Sequence, residues 1–325
     1  MGYENQNSKR ENAFRKVYDN ESFKNVLEHR ENLAGFPFLV DVELTNHCNL
    51  KCIFCGQQTM ERTKGFMNEK IFKKIVDECS KYDTPIRLIR WGEPFMHQKI
   101  IEFCKYVKEK GLLLHITTNG LMVKEEQILE IINLEVDSII FSFQGVTKEE
   151  YQLMRNNQLY DKLKKNIFKF VELRGNKLKP FIHISTTVTN ESAKQIKEFK
   201  EYWRDKVDSI DIGKTNLLYL SANQIKSFGL TNKLESLKEK ETIQKVYRPC
   251  TEVYRKLSVN WDGKVSACCG DFDDFLIVGD INKSSLENIW NNSEELKIFR
   301  KLLDKNKHKC LTLCSKCYWP YEEFG

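Results

Sequence analysis

The sequence predicts an α/β protein: a partial (βα)6 TIM-like barrel followed by a small Cys-rich C-terminal domain with a β-hairpin and helices. Two patterns predict it. From about residue 36 to about residue 215, short runs rich in β-formers alternate with runs of helical period, as parallel strands joined by crossover helices require. Beyond residue 247 that alternation stops, and six of the eleven cysteines fall in the last quarter of the chain.

Residues 1–35 are polar, and their apolar positions Phe14, Val17, Phe23, Val26 and Leu27 suit a helix or two before Gly35 and Pro37. Strands are expected at 38–45, 86–91, 112–118, 136–142, 181–188 and 208–213. Helices are expected at 68–80, 98–109, 124–132, 147–174 and 192–204, with a sixth in 222–240. Cys79 and Cys104 fall within helical patterns and read as small core hydrophobes. In the tail, Asp262-Gly263 marks the tight turn of a hairpin over 256–269, and a helix runs through Leu286 and Trp290. The expected organisation is an N-terminal helical segment at 1–35, a barrel at 36–245 and an auxiliary domain at 246–325.

A chain of 325 residues, 41% hydrophobic and 30% charged, buries a sizeable core. No run approaches the roughly 20 apolar residues of a membrane span, and the polar start is no signal peptide. A cytoplasmic location is expected, where cysteines stay reduced or metal-bound. The net charge of +6 is small against 52 basic and 46 acidic residues, and no concentrated basic stripe points to nucleic acid.

The run Cys48-Asn49-Leu50-Lys51-Cys52-Ile53-Phe54-Cys55 follows the first expected strand. A loop this short wraps three thiolates around one face of an iron–sulfur cube and leaves one of four irons without a cysteine. Zinc is the competing reading, but a structural zinc site needs four ligands and this loop offers three. The spacing, its place after a strand, and Phe54 beside the last cysteine resemble the radical SAM family. The resemblance implies that the open iron chelates the amino and carboxylate groups of S-adenosylmethionine. Reductive cleavage there gives methionine and a 5'-deoxyadenosyl radical that abstracts a substrate hydrogen.

Further runs fall on strand ends, where barrel enzymes place their active groups. Arg90-Trp91-Gly92-Glu93-Pro94 resembles the family's GGEP motif, with Trp91 in place of its first glycine. That resemblance gives Gly92 and Glu93 to the methionine amino group. Thr118 and Asn119, in Thr117-Thr118-Asn119-Gly120, match a pattern near the nucleoside, although turn formation also explains them. Ser142 fits the family's Ser-x-Asp-Gly, with Gln144 replacing the aspartate, and Arg155 lies where relatives place an arginine near the carboxylate. A surface position for Arg155 is the alternative. His183 and the threonines after it are polar groups on a strand, and a satisfied structural role is the ordinary one for such a histidine.

The tail resembles the SPASM and twitch extensions of radical SAM enzymes, which hold auxiliary iron–sulfur clusters. The resemblance assigns Cys250, Cys268, Cys314 and Cys317 to one auxiliary 4Fe-4S cluster and leaves Cys269 and Cys310 over. Cys310-Cys314-Cys317 repeats the first motif's spacing, so Cys310 remains an alternative ligand, and a structural zinc on four of these thiols is a further one.

The implied activity is hydrogen abstraction from a small metabolite, sugar-like or aminocyclitol-like, for oxidation or dehydrogenation. An external donor such as flavodoxin or ferredoxin would supply electrons. Two rivals keep the enzyme: a radical epimerase, with Cys269 or Cys310 returning a hydrogen atom, and a peptide-modifying maturase. About 35 residues before the barrel are too few for an added peptide-binding domain, which favours the small substrate. An iron–sulfur electron carrier or a zinc-stabilised binding module is the reading from another class.

Overall fold

A computed structural model describes residues 2–4, 10–189, 191–215, 222–227 and 248–317. Its strands are β1 (Gly2–Glu4), β2 (Leu39–Val42), β3 (Ile86–Leu88), β4 (Leu114–Thr118), β5 (Ser138–Ser142), β6 (Phe181–Val188), β7 (Ser209–Lys214), β8 (Lys256–Val259), β9 (Lys264–Ser266) and β10 (Ile277–Asp280). They form one sheet in the order β1-β7-β6-β5-β4-β3-β2-β8-β9-β10. Strands β2 to β7 are parallel to their neighbours and lie in chain order, the topology of a partial barrel. All six expected barrel strands are present.

The helices are α1 (Arg15–Tyr18), α2 (Glu21–Lys24), α3 (Glu69–Ser80), α4 (Ile100–Glu109), α5 (Glu125–Asn133), α6 (Lys148–Arg155), α7 (Tyr160–Arg174), α8 (Ala193–Trp203), α9 (Ala222–Ser227), α10 (Glu252–Arg255), α11 (Leu286–Asn292) and α12 (Glu294–Asp304). The single helix expected over 147–174 is two. Asn156 takes a left-handed φ of 53° that ends α6, and the Asn157 side chain donates to Arg155 O at 3.0 Å and accepts from Leu159 N at 2.8 Å. An Asn-Asn pair offers the backbone this alternative to helix, so it is the sequence signal for the break. Of the sixth expected helix, the part beyond Ser227 lies outside the described residues.

Two pairings were not anticipated. The N-terminal segment contributes β1, antiparallel to β7, besides its short helices. The tail hairpin does not stand alone: β8 runs parallel to β2, with Leu39 opposite Lys256 and Val42 opposite Val259. At the hairpin turn Gly263 has a φ of +93°, which a side chain rarely adopts.

Alternation along the strands separates two environments. Val40, Val42, Ile86, Leu88, Leu114, Ile116, Ile139, Phe141, Ile182 and Ile184 are fully buried in the apolar core with the helix layer, each worth about 1.5–3 kcal/mol. The residues between them face the lumen and, apart from Ile140, are polar: Asp41, Arg87, His115 and His183. At its floor, Arg87 donates to both Asp41 oxygens at 2.6 and 2.9 Å and to Tyr18 Oη at 3.0 Å, while Phe14 packs edge-on against His115 at 5.6 Å. His115 bonds Ser138 at 3.1 Å and Thr117 at 2.8 Å, and His183 bonds Ser209. Burial presses the His115 pKa down to about 3 and that of His183 to about 4. Burial alone would raise Asp41, but the charges of Arg87 and Lys256 hold its pKa at about 2. Cys79 and Cys104 lie fully buried in α3 and α4, where burial pushes both thiols up, Cys104 to about 12. Among the described residues, no helix is long and apolar enough to cross a membrane.

Candidate iron–sulfur and cofactor site

The three-cysteine loop leaves β2 and is fixed by its own backbone before any ligand is considered. Thr45 Oγ1 donates to Gly65 O at 2.6 Å and accepts from His47 N at 3.0 Å. Asn46 bridges to Thr63 O and Gly65 N at 2.9 Å each, and Ile53 N reaches Met154 O at 3.0 Å. Cys52 is buried, with Cys48 and Cys55 half-buried. Burial raises Cys48 to about 11 and Cys55 to about 12; Cys52 adds to both and Cys48 to Cys55, so the three sulfurs are neighbours.

Glu93 stands opposite this loop. It is 1% exposed and accepts from Thr118 Oγ1 and Asn119 N at 2.7 Å and from Phe95 N at 3.1 Å. Burial raises its pKa, and among the described residues no cation lies within ion-pair distance of it. Gly92 makes the approach possible: a Cβ there would stand 1.9 Å from Thr45 O and 2.8 Å from His47 O. Only a glycine lets the strand end and the cysteine loop touch backbone to backbone, and Glu93 N then donates to His47 O at 2.9 Å.

Arg155, at the end of α6, is 8% exposed, not a surface residue. Its Nη2 donates to the carbonyls of Ser142 at 2.6 Å and Phe143 at 3.1 Å, and its Nη1 lies 3.5 Å from Cys52 Sγ. The guanidinium sits 5.6 Å over the Phe54 ring, and its Nε is buried without a hydrogen-bond partner. Asn119 Nδ2 donates to Asn49 Oδ1 at 2.8 Å and lies 3.8 Å from Cys48 Sγ. The structure thus brings Gly92, Glu93, Thr118, Asn119, Ser142 and Arg155 around the three thiols. Gln144 instead bonds Thr215 Oγ1 at 2.8 Å and Thr187 Oγ1 at 2.6 Å at the ends of the neighbouring strands.

Trp91 faces the tail. Its indole N–H donates to Asp271 O at 3.0 Å, its ring meets Phe272 at 5.7 Å, and its carbonyl accepts from Gln57. Arg90 donates to Cys268 O at 3.0 Å, Asp271 O at 2.9 Å and Asn260 Oδ1 at 2.7 Å. Glu43, paired with Arg62 at 2.5 Å, also accepts from Trp261 N at 3.3 Å. These ties went unread in the sequence; a tryptophan where the motif has glycine was the available signal.

In the tail, Cys250 precedes α10, Cys268 follows β9, and Cys314 and Cys317 flank a terminal turn. Burial raises Cys250, and Cys317 and Cys314 raise it further; burial and Cys317 lift Cys314 to about 12. Cys269 and burial raise Cys268 most, and Cys250 adds to them, so Cys268 adjoins both Cys269 and the group of Cys250, Cys314 and Cys317. Cys310 is exposed, and Cys269 turns toward Glu252 and Lys256. Among the described residues no three such side chains already form a closed metal cage, so the grouping rests on which thiols neighbour one another.

A parallel partial barrel with three thiols on its first loop, an unmatched buried carboxylate facing them and more thiols in an appended hairpin domain defines a class: barrel enzymes built on iron–sulfur chemistry. The chain belongs to the radical SAM superfamily, whose pattern matches residues 42–207, and it carries an iron–sulfur cluster-binding SPASM domain over residues 250–318. Its cofactors are therefore a 4Fe-4S cluster used with S-adenosylmethionine and auxiliary iron–sulfur binding in the tail. The residues fit these groups: free thiols in both places and, among the described residues, a buried carboxylate with no cation at ion-pair distance and a guanidinium nitrogen with no hydrogen-bond partner.

Among relatives, the chain is 26% identical over 310 residues to a tungsten-containing aldehyde ferredoxin oxidoreductase cofactor-modifying protein of Pyrococcus furiosus, covering 84% of this chain and 86% of that one. It is 27% identical over 124 residues to an AdoMet-dependent heme synthase of Methanosarcina barkeri, covering 38% of this chain and 36% of that one. Among solved structures, Streptococcus suis SuiB bound to S-adenosylmethionine superposes with a TM-score of 0.67 at 15% identity, over 96% of this chain and 79% of that one. BtrN with AdoMet and 2-DOIA gives 0.55 at 18% identity, over 86% and 92%. These two likenesses speak to the fold.

Proposed function

We propose that the protein is a radical SAM oxidoreductase that dehydrogenates a small polar metabolite, sugar-like or aminocyclitol-like. In this reading Cys48, Cys52 and Cys55 hold the catalytic cluster and Cys250, Cys268, Cys314 and Cys317 one auxiliary cluster. When bound, the first cluster with S-adenosylmethionine supplies a hydrogen-atom abstractor, and the second supplies a one-electron sink. Glu93 takes the ammonium of S-adenosylmethionine in a charge-assisted contact. Arg155 and Ser142 orient its carboxylate end, Thr118 and Asn119 border the nucleoside, and Gly92 allows the close approach. We assign residues 36–245 to the barrel and 246–325 to the auxiliary domain, with an external flavodoxin-like or ferredoxin-like donor and a reducing, cytoplasmic setting for the eleven cysteines.

The observation that carries this reading is the tie between the two sites. Arg90 and Trp91 hold the turn from Cys268 to Asp271, and two residues further along the same run Glu93 faces the three-thiol loop. An auxiliary site fastened to the cofactor-binding strand end suits electron removal. Ser185 and Thr187 alternate with the core-facing residues of β6, and a hydroxyl-lined lumen suits a hydroxyl-rich substrate. The epimerase reading asks Cys269 or Cys310 for a hydrogen atom. Cys310 is exposed and Cys269 is held between Glu252 and Lys256, which favours oxidation. A peptide substrate remains the second reading, supported by 25% identity over 125 residues to a PqqA peptide cyclase of Bradyrhizobium diazoefficiens.

The test is anaerobic reconstitution, reduction, and incubation with S-adenosylmethionine and panels of aminocyclitols, sugars and short peptides. A metabolite product lacking two hydrogens, formed with 5'-deoxyadenosine, is expected. A product isomeric with its substrate, carrying one deuterium when the reaction is run in D2O, would transfer the assignment to epimerisation, and a modified peptide to maturation.

A further inference from the structure

Beside the auxiliary thiols lies a buried ammonium that no ligand assignment uses. Lys256, the first residue of β8, is 8% exposed. Its Nζ stands 2.7 Å from Glu252 Oε2, 3.6 Å from Asp41 Oδ2 and 3.5 Å from Cys269 Sγ. Arg87 sits on the other side of Asp41, with Nε at 2.6 Å from Oδ1. Cys269 Sγ in turn lies 3.3 Å from Glu252 Oε2 and is hydrogen-bonded to the thiol of Cys268. With one carboxylate at 2.7 Å and a second at 3.6 Å, Lys256 is held as an ammonium one sulfur away from Cys268.

We propose that Lys256, acting through Cys269, is a positioning residue that raises the reduction potential of the auxiliary cluster. The proposal rests on the reading that Cys268 is one of that cluster's ligands. Reduction adds negative charge to a cluster, so a nearby cation and hydrogen bonds to its sulfurs favour the reduced form. Gly270 N already donates to Cys268 Sγ at 3.3 Å, and the Lys256–Cys269 pair adds charge on the same sulfur's other neighbour. A raised potential is what an electron acceptor needs. The construction is also specific: an unpaired buried ammonium costs several kcal/mol, and two separate elements, β2 and α10, each bring a carboxylate to this one. Adjacent residues after β9 divide the work, Cys268 toward the other thiols and Cys269 toward the barrel floor.

The experiment uses the full chain carrying Cys48→Ser, Cys52→Ser and Cys55→Ser, reconstituted anaerobically, so that only tail iron titrates. Its midpoint potential is followed by visible absorption against a mediator series, with iron counted in each sample. Lys256→Met should keep the tail iron and shift the midpoint negative, whereas Lys256→Arg should stay at the parent value. Cys269→Ala should keep the iron and shift the midpoint the same way by less. An unchanged midpoint in Lys256→Met with iron retained overturns the proposal. If that variant does not fold, Lys256→Gln against Lys256→Arg makes the same comparison, and equal midpoints overturn it. Loss of tail iron in Cys269→Ala also overturns it, because Cys269 is then a ligand. Full tail iron in Cys268→Ala would instead remove the ligand reading underneath, whatever Lys256 does.

Discussion

The two thiol groups differ most in the charges around them. Beside Cys48, Cys52 and Cys55, Glu93 is buried with only N–H and O–H donors, and Arg155 is buried on two carbonyls and a sulfur with one nitrogen unused. Among the described residues, neither has an ion-pair partner. Near Cys268 the opposite holds: Lys256 has Asp41 and Glu252, and Arg87 has Asp41. A buried charge left without its counter-charge costs several kcal/mol, so a fold keeps one only where something else supplies the partner. The first site is shaped to receive a ligand carrying both an ammonium and a carboxylate. The second is closed electrostatically and is shaped to hold and tune what it already contains.

The sharpest break of this comparison is Cys52→Ala. With two thiols left on the loop, the first cluster should be lost entirely and S-adenosylmethionine cleavage with it, while about four irons remain in the tail. Iron counting and a 5'-deoxyadenosine assay check it; residual cleavage would mean that the three thiols are not the catalytic set. Next comes a pair of charge deletions that should move stability in opposite directions. Asp41→Asn takes the paired carboxylate from Arg87, leaves Lys256 with Glu252 alone, and should cost about 3–5 kcal/mol in denaturant unfolding. Glu93→Gln removes a carboxylate that has no cation and should leave stability equal or higher. It should nonetheless weaken S-adenosylmethionine about tenfold or more by calorimetry, as expected for a charge-assisted bond. Parallel losses of stability in both variants would erase the distinction between the sites. Smaller again is Gly92→Ala, whose Cβ meets Thr45 O and should cost about 1–3 kcal/mol as the cysteine loop is pushed off the strand end.

What was legible in the sequence follows the same division. The first site is local: eight consecutive residues carry its thiols, and Gly-Glu-Pro and Thr-Asn-Gly each sit at one strand end. Period and turn chemistry therefore located all six barrel strands, and the family resemblance of the short runs at their ends pointed to the residues gathered there. The second is built from contacts across more than a hundred residues. Arg90 reaches Cys268 across 178 positions, and β8 joins β2 by backbone pairing that no side-chain pattern announces. Lys256 reads in sequence as the polar start of a hairpin strand, and only the parallel register opposite Leu39 turns it into the barrel. The break at Asn156 was visible as an Asn-Asn pair but lost to the longer helical period around it, and with it went the reason Arg155 faces inward.

The smallest expected effect separates the lumen floor from the cofactor end by pH. His115 and His183 titrate in the fold at about 3 and about 4, against 6.5 in the unfolded chain. The unfolded chain thus takes up protons that the fold refuses, so this stability is present above pH 6.5 and is lost as pH falls from 6.5 toward 4 and then 3. Asp41 acts the same way lower down, its contribution present above 3.8 and lost as pH falls toward 2. Glu93 has the opposite sign: its folded pKa is raised above 4.5, so its contribution is present below that value and lost as pH rises through the folded pKa. In unfolding measurements from pH 7 to 4, His115→Gln with His183→Gln should flatten the fall in stability by up to about two protons' worth of slope. Glu93→Gln should leave that slope in place or steepen it at its acid end. If the histidine variant falls as steeply as the parent, the two histidines are not the acid-sensitive part of the floor, and Asp41, paired with Arg87 and Lys256, becomes the place to look.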